Sequence, residues 1–351
     1  MKTIHFIGGA RPNFIKIAPL LKVFEKEKKI KTVFINTGQH YDKALSENII
    51  KDLGLRKPDL NLGIGSDSHV NQISKVMIKY EKFLKLEKPN LVIVFGDVNS
   101  TIAAALTAKK NGIKVAHVEA GLRCYDDELP EEINRRLTDS ISDILFTPSL
   151  NENKNLEKEN IKKNVFFVGN IMIDSLVHFF KKNKIKSKFF DVDCILTLHR
   201  PENVDDEKQL KNILKKLKGL AKRYKILFPI HPRTKKNLEK FNLFEDFEKI
   251  NNLVLSAPLS YSEFLIQLKA SKFIITDSGG IQEESSFLQV PCFTLRKNTE
   301  RPITISMGTN KLVKLDSIKL LGIRKTLKVK KIPKWDGKTS QRILKVLKKF
   351  I

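Results

Sequence analysis

The chain has 351 residues, 41% of them hydrophobic, and a formal net charge of +26. This length exceeds one ordinary hydrophobic core and fits two domains, each large enough to bury most of its apolar surface. No stretch approaches the roughly 18 uninterrupted apolar residues of a membrane span, and the start, MKTIHFIGGARP, has no small-residue cleavage site after an apolar core. The sequence therefore predicts a cytoplasmic protein with no membrane span.

The charge is unevenly spread. Residues 311–351 hold fourteen Lys or Arg against two Asp, so twelve of the 26 excess charges lie in that stretch. Only 12 of the 65 basic residues are Arg, and seven of these, Arg11, Arg123, Arg135, Arg136, Arg200, Arg233 and Arg301, fall inside polar motifs at the ends of apolar runs. A guanidinium fork binds carboxylate or phosphate at two points, which lysine does not, so the arginines point to a small anionic ligand. No basic motif is interleaved with aromatics, and nucleic acid is not an expected partner. Cys124, Cys194 and Cys292 are odd in number and not spaced as metal ligands; they read as structural thiols in a reducing compartment, with no metal site.

Short, β-branched apolar runs at 2–7, 32–36, 91–96, 113–118, 144–147 and 165–169 read as buried strands, with amphipathic helices at 12–27, 68–88 and 98–111. Strand and helix alternate as in a doubly wound parallel sheet, so residues 1–180 form a predicted Rossmann-like α/β domain. After a polar, lysine-rich stretch near 181–190 the pattern restarts with strands at 194–199, 225–231, 252–256, 272–276 and 290–295. This predicts a second Rossmann-like domain over 190–335. The final segment, 339–351, places Ile343, Leu344, Leu347, Phe350 and Ile351 on one helix face, with Thr339 or Ser340 as N-cap, and is expected to pack back on the first domain. Two such domains facing one another direct their ligand loops, at the carboxyl ends of strands, to a shared cleft.

The motifs follow strands accordingly. In GGARPNFIKIAPL (8–20), Gly8 and Gly9 permit a tight turn, and helix amides with Arg11 suit an anion; glycine for steric reasons alone is the competing reading. In TDSGGIQEES (276–285), Ser278, Gly279 and Gly280 open a helix and suit a phosphate, while Glu283 and Glu284, one turn on, suit ribose hydroxyls. A plain capped helix is the alternative there. Asp97 tips an almost wholly apolar strand and reads as functional. His199 and Arg200, in LHRPEN (198–203), pair a group that titrates near neutrality with a permanent cation, which suits a leaving phosphate. For His231 a ligand role and a loop-anchoring role stand equal. In EAGLRCYDDELPEEINRR (119–136), Glu119 ends a strand and Glu131 follows Pro130 at a helix start, so with Asp97 they form a candidate carboxylate cluster. Asp126, Asp127 and Glu128 read as a solvated loop, and Glu132 with Arg135 or Arg136 as helix pairing.

Taken together, GARP, TGQHYD, GDVNST, HVEAGLR, PEEINRR, VGN, LTLHRPENVD, HPRT, TDSGGIQEE, TERP and DGK, in order along nearly the whole chain, resemble the non-hydrolysing UDP-N-acetylglucosamine 2-epimerases. The resemblance implies the glycosyltransferase-B fold, interconversion of UDP-GlcNAc and UDP-ManNAc without metal or nicotinamide cofactor, and a homodimer. It implies elimination of UDP across C1 and C2 to 2-acetamidoglucal, then re-addition with protonation on the opposite face. Motif by motif it assigns Asp97, Glu119 and Glu131 as essential carboxylates and His199 as the essential histidine. Substrate contacts are then expected at Arg11, Lys16, Arg123, Arg200, His231, Ser278, Gly279, Gly280, Glu284 and Arg301. Bacterial members also carry a regulatory UDP-GlcNAc site, whose motif Gln39 and His40 match. Family members commonly read GTRPE where this chain has Ala10 and Asn13, losing a hydroxyl and a carboxylate. Relatives acting on UDP-2,3-diacetamido-2,3-dideoxyglucuronate also lack that glutamate, so that sugar is the alternative substrate. A polyanion-binding protein is the rival from a different class.

Overall fold

The computed structural model describes residues 1–39, 50–182, 189–320 and 330–351. The chain divides into two compact units, Met1–Lys182 with Pro333–Ile351, and Asn183–Ile332. His40, of the proposed regulatory motif, and most of the lysine-rich stretch near 181–190 lie outside the described residues.

In the first unit strands and helices alternate: β1 (Lys2–Gly8), α1 (Arg11–Phe24), β2 (Ile30–Asn36), β3 (Leu60–Asn61), α2 (His69–Leu86), β4 (Leu91–Phe95), α3 (Asn99–Lys110) and β5 (Lys114–Val118). They continue through α4 (Pro130–Ile141), β6 (Ile144–Thr147), α5 (Leu150–Lys158), β7 (Val165–Phe167) and α6 (Ile171–Lys182). The seven strands form one parallel sheet in the order β3-β2-β1-β4-β5-β6-β7. A parallel sheet is covered on both faces and so selects continuous apolar strands; every residue of β4 is buried. Helix α3 is almost wholly buried as well, because Ala103, Ala104, Ala105 and Ala108 let it lie between α2 and α4. The two-residue β3 has no apolar run to announce it.

The second unit repeats the plan with β8 (Cys194–Thr197), α7 (Pro201–Val204), α8 (Glu207–Ala221), β9 (Ile226–Pro229), α9 (Pro232–Lys240), α10 (Phe244–Glu248) and β10 (Leu253–Ser256). Then follow α11 (Tyr261–Ala270), β11 (Phe273–Thr276), α12 (Gly279–Leu288), β12 (Cys292–Thr294), α13 (Ile303–Ser306) and β13 (Asn310–Leu312). Its six parallel strands run β10-β9-β8-β11-β12-β13. The two units are thus both Rossmann-like. In each sheet chain order reverses once, between β1 and β4 and between β8 and β11, and open α/β sheets bind ligands beyond the strand carboxyl ends at such points.

The last helix, α14 (Thr339–Leu347), contacts α1 and α6 of the first unit and buries Ile343, Leu344 and Leu347. Thr339 and Ser340 do not cap it as the sequence suggested; they are its first two residues. Asp174 of α6 does the capping instead, accepting the N–H of Thr339 at 3.0 Å and of Ser340 at 2.7 Å. A carboxylate from a neighbouring helix replaces a local cap and ties the C-terminal segment down.

Candidate functional site

In the first unit the chain leaves β1 through Gly9 and Ala10. Asn13 closes this turn: its Oδ1 accepts the N–H of Gly9 (3.1 Å) and Ala10 (3.0 Å), and its Nδ2 donates to the Phe95 carbonyl at the end of β4 (2.9 Å). An ionised glutamate has no donor for that last bond, so the amide at position 13 knits β1, α1 and β4 together. Arg11, the first residue of α1, is exposed. Lys16, one turn later, is buried, and its ammonium pairs with the Glu119 carboxylate.

Glu119 follows β5 with a φ of 75° and is buried. A non-glycine residue held in this left-handed region carries strain, of the kind that collects at functional sites. Gly96, just after β4, is also left-handed at φ 65°, and a Cβ there would lie 2.9 Å from Lys16 Nζ and 3.2 Å from Glu119 Oε2. The left-handed conformation favours glycine at 96, and the Lys16–Glu119 pair packs directly against it. Its neighbour Asp97 is gripped by Arg135 of α4, whose Nε and Nη2 donate to Oδ2 at 2.9 and 2.6 Å. The remaining arm, Nη1, donates to Glu132 at 2.7 Å. The structure thus gathers Lys16, Gly96, Asp97 and Glu119 at the carboxyl ends of β4 and β5. The phase of α4 separates the two glutamates at its start: Glu132 is buried and accepts the N–H of Tyr125 (3.1 Å), whereas Glu131 is exposed.

Under this cluster lies a buried charged network. His117 Nδ1 is 2.7 Å from Asp139 Oδ1, and its Nε2 is 2.8 Å from the Gly96 carbonyl. Burial alone would raise the Asp139 carboxyl, but His117 and Arg123 beside it outweigh burial and hold it below the ordinary carboxylate value. Arg123 is fully enclosed, with its fork on Glu159 (2.8 and 2.6 Å) and Nη1 on Asp139 (2.8 Å). Its geometry is that of an internal brace for the loop after β5.

In the second unit, β8 and β11 are neighbours with Thr197 opposite Thr276, so the residues just beyond them meet. His199 Nδ1 is 2.7 Å from Asp277 Oδ1. Asp277 is fully buried and also accepts the N–H of His199 (3.0 Å), the N–H of Arg200 (3.0 Å) and Asn203 Nδ2 (3.1 Å). Burial opposes its charge, yet His199 and these backbone donors together hold its carboxyl below the ordinary value. Arg200 donates through Nε to the Asp277 carbonyl at 3.1 Å. His231 is the exposed N-cap of α9, and its ring lies 5.3 Å from that of His199.

Ser278 is the N-cap of α12, with Gly279 and Gly280 in the first turn, and its hydroxyl makes no capping bond. The N–H groups of a helix's first turn, with the helix dipole behind them, favour an anion. The Arg301–Glu300 pair packs directly against Gly279, where a Cβ would lie 2.6 Å from both Arg301 Nη1 and Glu300 Oε1. Arg301 pairs with Glu300 and, at 3.0 Å, with Glu283, and Arg296 meets Glu300 at 2.8 Å. Glu284, on the same helix, is buried. Sequence reasoning missed two side chains here and in the first unit. Asp277 stood in plain view at a strand end between Thr276 and Ser278, and Arg135 was assigned to helix pairing alone. Among the described residues, no group of three or more His, Cys, Asp or Glu is arranged to hold a metal ion.

The family model for UDP-N-acetylglucosamine 2-epimerase matches residues 22–348. A UDP-N-acetylglucosamine 2-epimerase of Methanocaldococcus jannaschii is 43% identical over 98% of each chain. A UDP-2,3-diacetamido-2,3-dideoxy-D-glucuronate 2-epimerase of Pseudomonas aeruginosa is 37% identical over 89% of this chain and 88% of the relative. The crystal structure of the M. jannaschii UDP-GlcNAc 2-epimerase in complex with UDP-GlcNAc and UDP superposes with a TM-score of 0.90 at 40% identity, covering 99% of this chain and 100% of that one. With the model spanning most of its length and a relative matched end to end, the chain belongs to the UDP-N-acetylglucosamine 2-epimerase family.

Proposed function

We propose that this chain is a non-hydrolysing 2-epimerase that interconverts UDP-GlcNAc and UDP-ManNAc. The C2 proton of the sugar is too weakly acidic for direct removal. A base takes it as the C1–O bond to the β-phosphate breaks, leaving 2-acetamidoglucal and UDP; UDP then returns to C1 while a proton reaches C2 from the opposite face. The first unit supplies the acid and base groups from Asp97, Glu119 and Glu131. The second holds UDP through the α12 N-terminus with Ser278, Gly279 and Gly280, the ribose through Glu284, and the departing phosphate through His199, with Arg200, His231 and Arg301 as further cationic or polar groups; Arg11 of the first unit is a further cation for the phosphate.

The observation that carries this reading is the strained, buried Glu119, paired with Lys16 and packed against the Gly96–Asp97 turn. Lys16 stabilises the carboxylate that a base must present, and the fixed backbone aims it. Arg123 braces that site rather than touching substrate. One observation favours the second sugar: Asn13 places an amide, not a carboxylate, in the first turn, a neutral setting that suits a uronate. Incubation with each UDP-sugar, followed by proton NMR, decides between them. Equilibration of UDP-GlcNAc with UDP-ManNAc supports the main reading, and turnover of the diacetamido uronate alone supports the second.

The partner is a UDP-sugar and a second copy of the chain. The homodimer reading is supported by exposed apolar side chains on α2 and α4, among them Val70 (76%), Ile78 (57%), Ile133 (49%) and Leu137 (49%). The cytoplasm is the proposed compartment, in keeping with three free, buried cysteines; no helix among the described residues is long and apolar enough to cross a membrane.

A further inference from the structure

Asp277 has more donors than a cap or a loop anchor needs. It sits at the carboxyl end of β11, one residue past the pair Thr197–Thr276 that sets the register with β8. Four N–H groups, three from the β8–α7 connection and one from Asn203 of α7, converge on its buried carboxylate, and the imidazole of His199 is the nearest. An ionised carboxylate only accepts. Its partner on the ring must therefore be Nδ1–H, and the neutral imidazole is left with its lone pair on Nε2, the nitrogen on the far side of the ring. The His199 side chain is 37% exposed while that of Asp277 is 0% exposed, so one nitrogen is committed to the interior and the other is available to a ligand.

We propose that Asp277 is a positioning residue that fixes the tautomer and orientation of His199, keeping Nε2 as the nitrogen that exchanges a proton with the leaving phosphate oxygen. In the elimination direction the doubly protonated ring gives its Nε2 proton to the departing β-phosphate oxygen and becomes the neutral Nδ1–H tautomer; on re-addition the bare Nε2 takes that proton back, and Nδ1–H stays bonded to Asp277 throughout. What His199 does to substrate rests on the epimerase reading, whereas the tautomer does not.

Two measurements separate these. In ¹⁵N NMR of the wild-type protein, neutral His199 shows the proton on Nδ1 and a bare Nε2. In Asp277→Asn the amide can donate to Nδ1, so the proton moves to Nε2. With epimerase turnover as readout, Asp277→Asn lowers kcat by up to roughly 10⁴-fold, the scale at which a wrong tautomer has been felt in a Ser-His-Asp enzyme, while UDP affinity by calorimetry is retained. Because Asp277 acts through His199, the same change adds little further loss to a His199→Asn enzyme. A wild-type neutral His199 whose single proton is on Nε2, with Nδ1 bare, overturns the proposal without any variant having to fold. Losses that multiply in the double variant overturn it too, since a purely structural role adds independently. A wild-type protein with the Nδ1–H tautomer but no turnover of any UDP-hexosamine sinks the epimerase reading and leaves the positioning role standing.

Discussion

Replacing Glu119 by Gly and by Ala tests whether the central carboxylate stands on a strained backbone. Both changes delete the group that pairs with Lys16, so the effect of leaving that ammonium alone cancels between them. What differs is the cost of a Cβ at φ 75°, roughly 1–2 kcal/mol in the left-handed region. Against it stands the larger chain entropy that glycine loses on folding, roughly 0.5–1 kcal/mol relative to alanine. The glycine variant should therefore be the more stable by about 0.5–1 kcal/mol, or about 1–4 °C in Tm for a unit of this size. Paired thermal scans by circular dichroism read this difference, and both variants should lack epimerase turnover. An alanine variant that melts at or above the glycine variant would refute a left-handed residue 119.

Three further outcomes follow from named contacts. Lys16→Met removes the ammonium beside the buried Glu119 carboxylate and should cost up to about 3–5 kcal/mol in urea unfolding, and Lys16→Met with Glu119→Gln should regain much of that loss because both charges go. His5, buried against Tyr80, has its pKa lowered from 6.5 to about 4, chiefly by burial. A depressed folded value means that the unfolded chain binds the extra proton, so stability is fully present above pH 6.5 and falls as pH drops towards 4, by up to about 3 kcal/mol; His5→Phe should flatten that decline in denaturation measured across this window. Asp174→Ala removes the acceptor for two N–H groups at the start of α14 and should cost about 1–2 kcal/mol, seen as faster amide exchange across residues 339–347 with the sheet unaffected.

The two sheets were legible because their strands are short, apolar and regularly spaced, a pattern that both-sided burial imposes. Position was legible too: Asp97, Glu119, His199 and Ser278 were all singled out because each follows such a strand. What sequence did not carry is what depends on which strands become neighbours. Asp277 reaches His199 across a separation of 78 residues in the chain, and Arg135 reaches Asp97 across 38; no local pattern marks either. The left-handed backbone of Glu119 is equally silent, since glutamate is not a residue that advertises it. Arg123 looked like a ligand arginine from its motif, yet its partners, Asp139 and Glu159, enclose it. The acidic run 126–132 was already divisible from sequence into a loop, Glu131 and a helix-pairing Glu132; the phase of α4 adds that Glu132 turns inward and Glu131 outward.

The central claim is that a proton leaves C2 and a solvent-derived one returns to the other face. Incubating the protein with UDP-GlcNAc in D2O and following C2 by NMR tests it directly. The account predicts UDP-ManNAc carrying deuterium at C2, with incorporation abolished in Glu119→Gln. UDP-ManNAc that retains the original proton at C2, or undiminished exchange in Glu119→Gln, would contradict it.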